Sequence, residues 1–183
     1  NAIDLVLAES LIELSAKKPI DKITIKEITD KAGVIRPTFY NHFQDKYELI
    51  EWIIKSELLA PIKPLLNAGM IFEAIVLMLN NISANSVFYK KALKLEGAVT
   101  FNQIAMKCVC EMFMNIISEK STGKKSKYRW LTPEVISTYY AQSLCFITEG
   151  WIAQGMDDIE PKEMAEAYMY LITRSMDDIL SEL

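Results

Sequence analysis

The stretch Ile23–Trp52, ITIKEITDKAGVIRPTFYNHFQDKYELIEW, predicts two short helices joined by a tight turn, followed by a third helix. Thr24 and Glu27 have the spacing of a capping box, in which each side chain accepts the backbone N–H of the other, so a helix is expected to begin after Thr24. Gly33 is expected to end that helix because glycine adopts the left-handed conformation without a Cβ clash. The next helix begins around Pro37, where a missing N–H costs nothing. This order predicts a helix-turn-helix.

The second of these helices has one apolar side and several polar sides. Phe39 and Phe43 lie four residues apart and therefore share the side that packs on the core. Arg36 carries a guanidinium that suits two parallel hydrogen bonds to guanine in the major groove of DNA. Asp45 and Glu48 repeat the capping pattern and start the third helix. The polar sides therefore favour a helix that contacts DNA.

The residue order AGVIRPTFYNHFQDK, at residues 32–46, resembles the signature of the TetR/AcrR family of bacterial repressors. The resemblance covers residues 2–52, and it implies a homodimer whose two heads enter successive major grooves of a near-palindromic double-stranded DNA operator. One position departs from the pattern, since Ile35 stands where the family usually has a Ser or Thr N-cap. The loss of that cap costs the helix about 1 kcal/mol unless Ile35 packs as a hydrophobic staple.

The resemblance also assigns roles to individual positions. The residues expected to contact bases are Arg36, Pro37 and Asn41. The residues expected on phosphates are Thr24, Lys26, Thr38, Tyr40, His42 and Lys46. Phosphate contacts position a protein on the duplex and base contacts specify the sequence. For Tyr40 and His42 the alternative of a partly buried packing residue stays open.

The charge distribution is consistent with this assignment. The chain has 183 residues and a formal net charge of −4, with 20 Lys and Arg against 24 Asp and Glu. The segment Lys17–Lys46 holds seven basic and four acidic residues, a balance of +3, which leaves 13 and 20, a balance of −7, elsewhere. A basic head on an acidic body is expected for a phosphate-binding module attached to a protein-facing one.

The sequence does not support an enzyme. Its one histidine, His42, lies in the helix assigned to DNA, so no Ser/His/Asp or Cys/His set is available elsewhere. Cys108 and Cys110 lack further ligands at metal spacing, and no glycine-rich phosphate loop is present. We therefore expect no catalytic residue, no metal and no cofactor. With Cys145, the odd number of cysteines indicates free thiols in a reducing cytoplasm.

An apolar share of 51% with few glycines and prolines favours an all-α protein. We divide it into a helix-turn-helix DNA-binding domain at residues 1–46 and a helical effector-binding and dimerisation domain at residues 47–183. In the resembled family a first helix, here over residues 2–17, completes the three-helix core of the DNA-binding domain. The uncharged runs are shorter than the roughly 20 apolar residues of a membrane span, so none is expected.

A helix from about Lys46 is expected to run to Ala60, where Pro61 and Pro64 end it. The predicted helices after it cover residues 69–83, 86–95, 98–118, 133–154 and 161–182. The polar connection Ser118–Pro133 has four Lys and one Arg against a single acid, and a solvated loop is favoured there over a second nucleic-acid patch.

Two sets of residues in the body are candidates for regulation. Aromatic and methionine residues at helical spacing are more often plain core, but the resemblance favours an apolar effector pocket, because most members of the family are released from DNA by a small effector. The residues expected to line it are Phe72, Met78, Phe88, Tyr89, Phe101, Met106, Met112, Phe113 and Tyr140. By the resemblance, the final two helices form a four-helix dimer interface. The residues expected there are Tyr139, Ser143, Ile147, Trp151, Tyr168, Leu171, Ile172, Ser175 and Ile179.

Short motifs in the body resemble one branch of the family, the regulators of dihydroxyacetone-kinase operons. The motifs are KYRW at 127–130, Tyr139-Tyr140, and EGW at 149–151. The family resemblance implies a small-molecule effector, whereas the resemblance to this branch implies activation as an alternative to repression and a protein partner as an alternative to the small molecule. We expect a transcriptional regulator, and a repressor in the first instance. The alternative is a helical protein–protein adaptor or co-activator whose head no longer binds DNA.

Overall fold

A computed structural model of the chain describes residues 2–97, 99–120 and 126–182, and these residues form helices without any strand. The α-helices are α1 (Ala2–Ser15), α2 (Ile25–Ala32), α3 (Arg36–Tyr40), α4 (Lys46–Ile53), α5 (Ala60–Asn67), α6 (Ile71–Ala84), α7 (Ser86–Ala92), α8 (Phe101–Lys120), α9 (Pro133–Ala153), α10 (Pro161–Thr173) and α11 (Met176–Glu182). The all-α fold expected from composition is confirmed.

The head consists of α1 to α3 packed against α4. Leu7 and Leu11 of α1, Ile28 of α2, Phe39 of α3 and Leu49 of α4 are fully buried together in its core. Each helix buries its apolar side in this core, and the polar sides of α2 and α3 therefore stay on the surface. The helix-turn-helix is therefore held by a core that its own flanking helices complete.

The helix that leaves the head continues further than the sequence predicts. A π-helical segment, Ile54–Leu59, joins α4 to α5 without interruption, so the helix extends to Asn67 and passes through Pro61 and Pro64. In the π-helical segment the N–H of Ala60 donates to the carbonyl of Lys55, five residues back. The expectation that the prolines end the helix is wrong, because this wider turn accommodates a residue that donates no N–H.

Charged side chains fasten this connecting helix to α8. The Glu51 carboxylate lies 2.8 Å from Lys107 Nζ and 2.7 Å from Lys55 Nζ. Lys55 Nζ also lies 2.7 Å from the Glu111 carboxylate. Since Glu51 and Lys55 belong to the helix leaving the head and the other two residues to α8, the four charges link the head to the body.

In the body, α6 packs against α5 and α10, and α8 pairs with α9. The single helix predicted over residues 161–182 is wrong, because α10 ends at Thr173 and α11 begins at Met176. Ser175 and Asp178 form a capping box that starts the new helix, with the Ser175 hydroxyl donating to the Asp178 carboxylate at 2.7 Å.

Buried side chains of the head and body form one continuous apolar core. The division at residues 46 and 47 therefore stays a prediction about function. Among the described residues, no single helix is long and apolar enough to cross a membrane. Ile71–Ala84 and Ser86–Ala92 pass that test only as a pair, and they meet at an angle of 88°.

Candidate nucleic-acid interface and effector cavity

The turn between α2 and α3 follows the local signals in the sequence. The Thr24 hydroxyl accepts the Glu27 N–H at 3.2 Å, and the Glu27 carboxylate accepts the Thr24 N–H at 2.9 Å. Gly33 ends α2 with φ +70°, a conformation that side chains disfavour. Pro37 lies in the first turn of α3. The capping box and the glycine thus determine where α2 begins and ends, and they place α3 after a short turn.

The exposed face of α3 comprises the residues that the core leaves uncovered: Arg36, Pro37, Tyr40 and Asn41. Phe39 and Phe43, on the opposite side, are buried and lie in contact with ring centroids 5.8 Å apart. The structure therefore brings the three residues predicted to contact bases onto one accessible surface. Thr24 and Lys26 of α2 are also exposed.

Tyr40 and His42 differ in their surroundings. Tyr40 is 58% exposed, and its ring meets Phe39 edge to face with centroids 5.6 Å apart. His42 is partly buried, and its Nδ1 lies 2.7 Å from Asp4 Oδ1 of α1. Tyr40 is therefore free to contact a ligand, whereas the His42 ring is engaged with α1.

Lys46 occupies a structural position. Its ammonium group donates to the backbone carbonyls of Ile20, Asp21 and Ile23 at 3.0, 2.6 and 3.2 Å. A lysine ammonium has three N–H donors, and three carbonyls accept here. Partial burial lowers the pKa of Lys46. Lys46 therefore joins α4 to the short 3-10 turn Ile20–Lys22 that precedes α2.

Ile35 is an exposed residue beside α3 for which the sequence predicted no DNA contact. It precedes α3 in an extended conformation, offers no side-chain cap, and is 68% exposed. The hydrophobic staple considered for it is therefore absent. The signal was present in the sequence as an apolar residue at a position that usually carries a polar cap.

The body contains a cavity of about 380 Å³ between α5, α6, α8, α9 and α10. Four predicted pocket residues line it: Met78, Met112, Phe113 and Tyr140. Two hydroxyl groups at its wall form hydrogen bonds within the protein. The Tyr168 hydroxyl accepts the Ser143 hydroxyl at 3.1 Å, and the Thr173 hydroxyl donates to the Met169 carbonyl at 2.7 Å. Among the described residues, those that line this cavity include no lysine, arginine, aspartate or glutamate.

A second cavity, of about 40 Å³, shares Met78 and Leu144 with the first. Two more predicted pocket residues, Tyr89 and Phe101, line it, and it also holds Thr148, whose buried hydroxyl has no hydrogen-bond partner among the described residues. The remaining predicted residues line neither cavity: Phe72, Phe88 and Met106. Phe88 is instead buried in the core. The sequence did not predict the leucine and isoleucine residues that also line the cavities, because at helical spacing they look the same as ordinary core residues.

Two residues predicted at the dimer interface lie inside the protomer. Trp151 is 2% exposed and donates its indole N–H to the Ile159 carbonyl at 2.8 Å, while Tyr168 is 3% exposed. Neither side chain is available to a partner. Tyr139 and Leu171 are exposed, as is Phe146, which the prediction did not include.

Elsewhere in the described residues, no group of three or more His, Cys, Asp or Glu side chains is arranged to hold a metal ion. The basic connection predicted at Ser118–Pro133 falls partly on residues 121–125, which lie outside the described residues.

Comparison with known proteins identifies both parts of the chain. Residues 9–53 match the family described as bacterial regulatory proteins, tetR family. Residues 70–174 match the family described as the transcriptional regulator C-terminal region. Together these matches account for the helix-turn-helix and for most of the body.

Individual relatives agree with these matches. The HTH-type dhaKLM operon transcriptional activator DhaS of Lactococcus lactis subsp. lactis (strain IL1403) is 26% identical over 152 residues, which are 82% of this chain and 79% of that protein. A solved structure of the dihydroxyacetone kinase operon activator DhaS has a TM-score of 0.62 at 20% identity and covers 98% of this chain and 95% of its own.

The fold also extends to a more distant protein. Native NalD, the secondary repressor of the MexAB-OprM multidrug efflux pump in Pseudomonas aeruginosa, has a TM-score of 0.60 at 13% identity, with 93% of this chain and 94% of that chain covered. The matched families are families of regulators and not of enzymes, and they do not favour the adaptor alternative. The chain belongs to the TetR family and is a DNA-binding transcriptional regulator.

Proposed function

We propose that this regulator binds a near-palindromic operator as a homodimer, with the exposed face of α3 in the major groove of each half-site. The observation that carries the proposal is the joint exposure of Arg36, Pro37 and Asn41 on a helix fixed from behind by buried Phe39. A major groove admits one α-helix, and two heads reach successive grooves when they stand about 34–36 Å apart. Tyr40, Thr38, Thr24 and Lys26 would then lie towards the phosphates.

Selection from random duplex DNA at two salt concentrations tests this proposal, with wild type compared with Arg36→Ala. We expect a palindromic site, an affinity that falls steeply with salt, and a loss of preference at one base pair in the variant, worth about 1–3 kcal/mol. Weak binding without sequence preference at both salt concentrations would contradict it.

We propose that the dimer interface is formed by α9, α10 and α11 around their exposed apolar residues. Tyr139 and Phe146 lie seven residues apart, on the same side of α9, and Leu171 lies on α10. Phe146 is 76% exposed in the protomer, and large aromatic residues are enriched where protein surfaces meet. The predicted residues Ser143, Ile147, Ile172, Ser175 and Ile179 stay part of this proposal, without Trp151 and Tyr168.

The variant Phe146→Glu tests the interface, since it places a charge within the contact, and Phe146→Leu is the matched apolar control. Sedimentation is expected to show a monomer for the glutamate variant and a dimer for the leucine variant. Two dimeric variants would place the interface elsewhere.

We propose that the cavity of about 380 Å³ between α5, α6, α8, α9 and α10 receives an uncharged, mostly apolar effector. Its volume falls within the range of ligand sites, and a charged ligand would lose hydration without gaining an ionic partner. Such a ligand regulates only if it favours one spacing of the heads over the other. Filling the cavity with Ala74→Leu should abolish binding of an apolar dye such as Nile red while operator binding persists.

The direction of regulation remains a prediction. The repressor expectation agrees with NalD, which is named a repressor, whereas DhaS is named an activator. A reporter under the selected operator decides between them, because deleting the regulator raises expression under a repressor and lowers it under an activator.

A further inference from the structure

We propose that Ile35 recognises the C5-methyl group of a thymine in each operator half-site. This inference rests on the proposed binding of α3 in the major groove. It concerns a residue next to Arg36 and Pro37 that has no assigned role in binding.

Ile35 contributes little within the protomer. Its carbonyl accepts the Thr38 N–H at 3.0 Å, but its side chain makes no cap and is 68% exposed. A serine or threonine at this position would bond an N–H of the first turn of α3, and a buried isoleucine would gain from packing. Isolated exposed apolar residues are common on proteins, so exposure alone indicates nothing.

The position gives that exposure a meaning. Ile35 lies immediately before Arg36, the first residue of α3, and both are exposed at the end of the helix that enters the groove. Side chains at this end of a recognition helix reach base edges. Isoleucine has no hydrogen-bonding group, so it can influence base choice only by covering apolar surface.

Thymine is the base that presents such a surface. In the major groove its C5-methyl group is the one apolar group that distinguishes the four base pairs, and apolar side chains contact it. Ile35 should therefore favour thymine over cytosine at one position close to the guanine read by Arg36. Burial of one methyl group corresponds to about fourfold in affinity per half-site, and about 15-fold for the two half-sites of a dimer.

The experiment replaces each thymine of the selected operator by uracil, symmetrically in both half-sites. Uracil keeps the pairing and the O4 acceptor and lacks only the methyl group. For wild type, one thymine position should lose about 15-fold in affinity, and 5-methylcytosine should bind better than cytosine there. Ile35→Ser and Ile35→Ala should bind the thymine and uracil operators equally while keeping the guanine preference of Arg36.

Two controls make the result specific. Ile35→Ser restores a polar cap, so its melting temperature should equal or exceed that of wild type, and a binding change then reflects the contact. Thr38→Ser removes the methyl group of a neighbouring residue in α3. Sensitivity to uracil that disappears with Thr38→Ser and persists in both Ile35 variants overturns the proposal.

The remaining outcomes separate this inference from the proposed function. An operator that is selected but contains no methyl-sensitive thymine overturns the role of Ile35 and leaves DNA recognition by α3 intact. Failure to select any operator overturns both.

Discussion

Asn81 of α6 donates its side-chain amide to the backbone carbonyl of Glu57 across 3.1 Å. Glu57 lies at the end of the π-helical segment, where the chain returns to the α-helical pattern of α5. In that pattern its carbonyl would accept the N–H of residue 61, four residues further on. Residue 61 is a proline and has no N–H. The amide of Asn81 therefore replaces the hydrogen bond that Pro61 removes, so that one helix runs from the head into the body.

This relationship predicts that the effects of residues 61 and 81 are not additive. Asn81→Ala leaves the Glu57 carbonyl without its partner and should lower the free energy of unfolding by about 1–3 kcal/mol. In a Pro61→Ala background the new N–H is available to that carbonyl, so the same substitution should cost less than half as much. Urea unfolding of the four proteins measures the difference. Equal costs in the two backgrounds would show that Asn81 acts elsewhere.

A pH effect on stability is expected at the start of α2. The hydrogen bond from Lys18, together with those from the Thr24 backbone and hydroxyl, lowers the pKa of Glu27 to about 2 from its ordinary value of 4.5. A carboxyl with a lowered pKa stabilises the fold above its unfolded pKa, and that contribution is lost as the pH falls from about 4.5 towards 2.

Glu27→Gln isolates this charge because glutamine still completes the capping box. At pH 6 and low ionic strength the variant should unfold at a lower urea concentration than wild type, and the two midpoints should converge between pH 4.5 and pH 2. The difference in urea midpoint should be modest, because the ion pair between Lys18 and Glu27 lies near the surface, where solvent screens it. A constant difference across that range would show that the charge of Glu27 is not responsible.

The cysteines should differ in reactivity. Burial raises the pKa of Cys108 and of Cys145 to about 12, whereas Cys110 is only partly buried. Because the thiolate is the reactive form, a thiol reagent at pH 8 should modify Cys110 first and the other two only when the protein unfolds. Stopped-flow labelling of wild type and Cys110→Ser measures this, and a fast phase that survives in the variant would contradict it.

The helices of the head were predicted correctly from residues close together in the sequence. Where the structure differs from the prediction, the cause is a contact between residues that are far apart in the sequence. The capping box at Thr24 and the left-handed Gly33 involve neighbours within a few residues, which is why the sequence located the helix-turn-helix. Pro61 also gives a strong local signal, for a helix end. The hydrogen bond that Pro61 removes is replaced by one from Asn81 to the Glu57 carbonyl. These two residues are 24 positions apart in the sequence, and only the packing of α6 brings them together.

In the body, helical periodicity alone could not separate core residues from interface residues. A helical stripe indicates which residues share a side, but it does not distinguish burial within the protomer from burial against a partner. Trp151 and Tyr168 belong to stripes predicted as interface, but both side chains are buried within the protomer. Phe146 was not predicted at the interface, although it lies on the same side of α9 as Tyr139 and is exposed.

Lys46 offers a test of position against direct contact. Its ammonium group donates to three carbonyls, at Ile20, Asp21 and Ile23, so Lys46→Met should lower the free energy of unfolding by about 1–3 kcal/mol. It should leave the salt dependence of operator affinity unchanged, since a lost phosphate contact reduces that slope by about 1. Exposed Lys26 is the matched control, with Lys26→Met expected to reduce the slope and keep stability. If Lys46→Met instead reduces the slope at unchanged stability, Lys46 contacts a phosphate in the complex and must leave the carbonyls to do so.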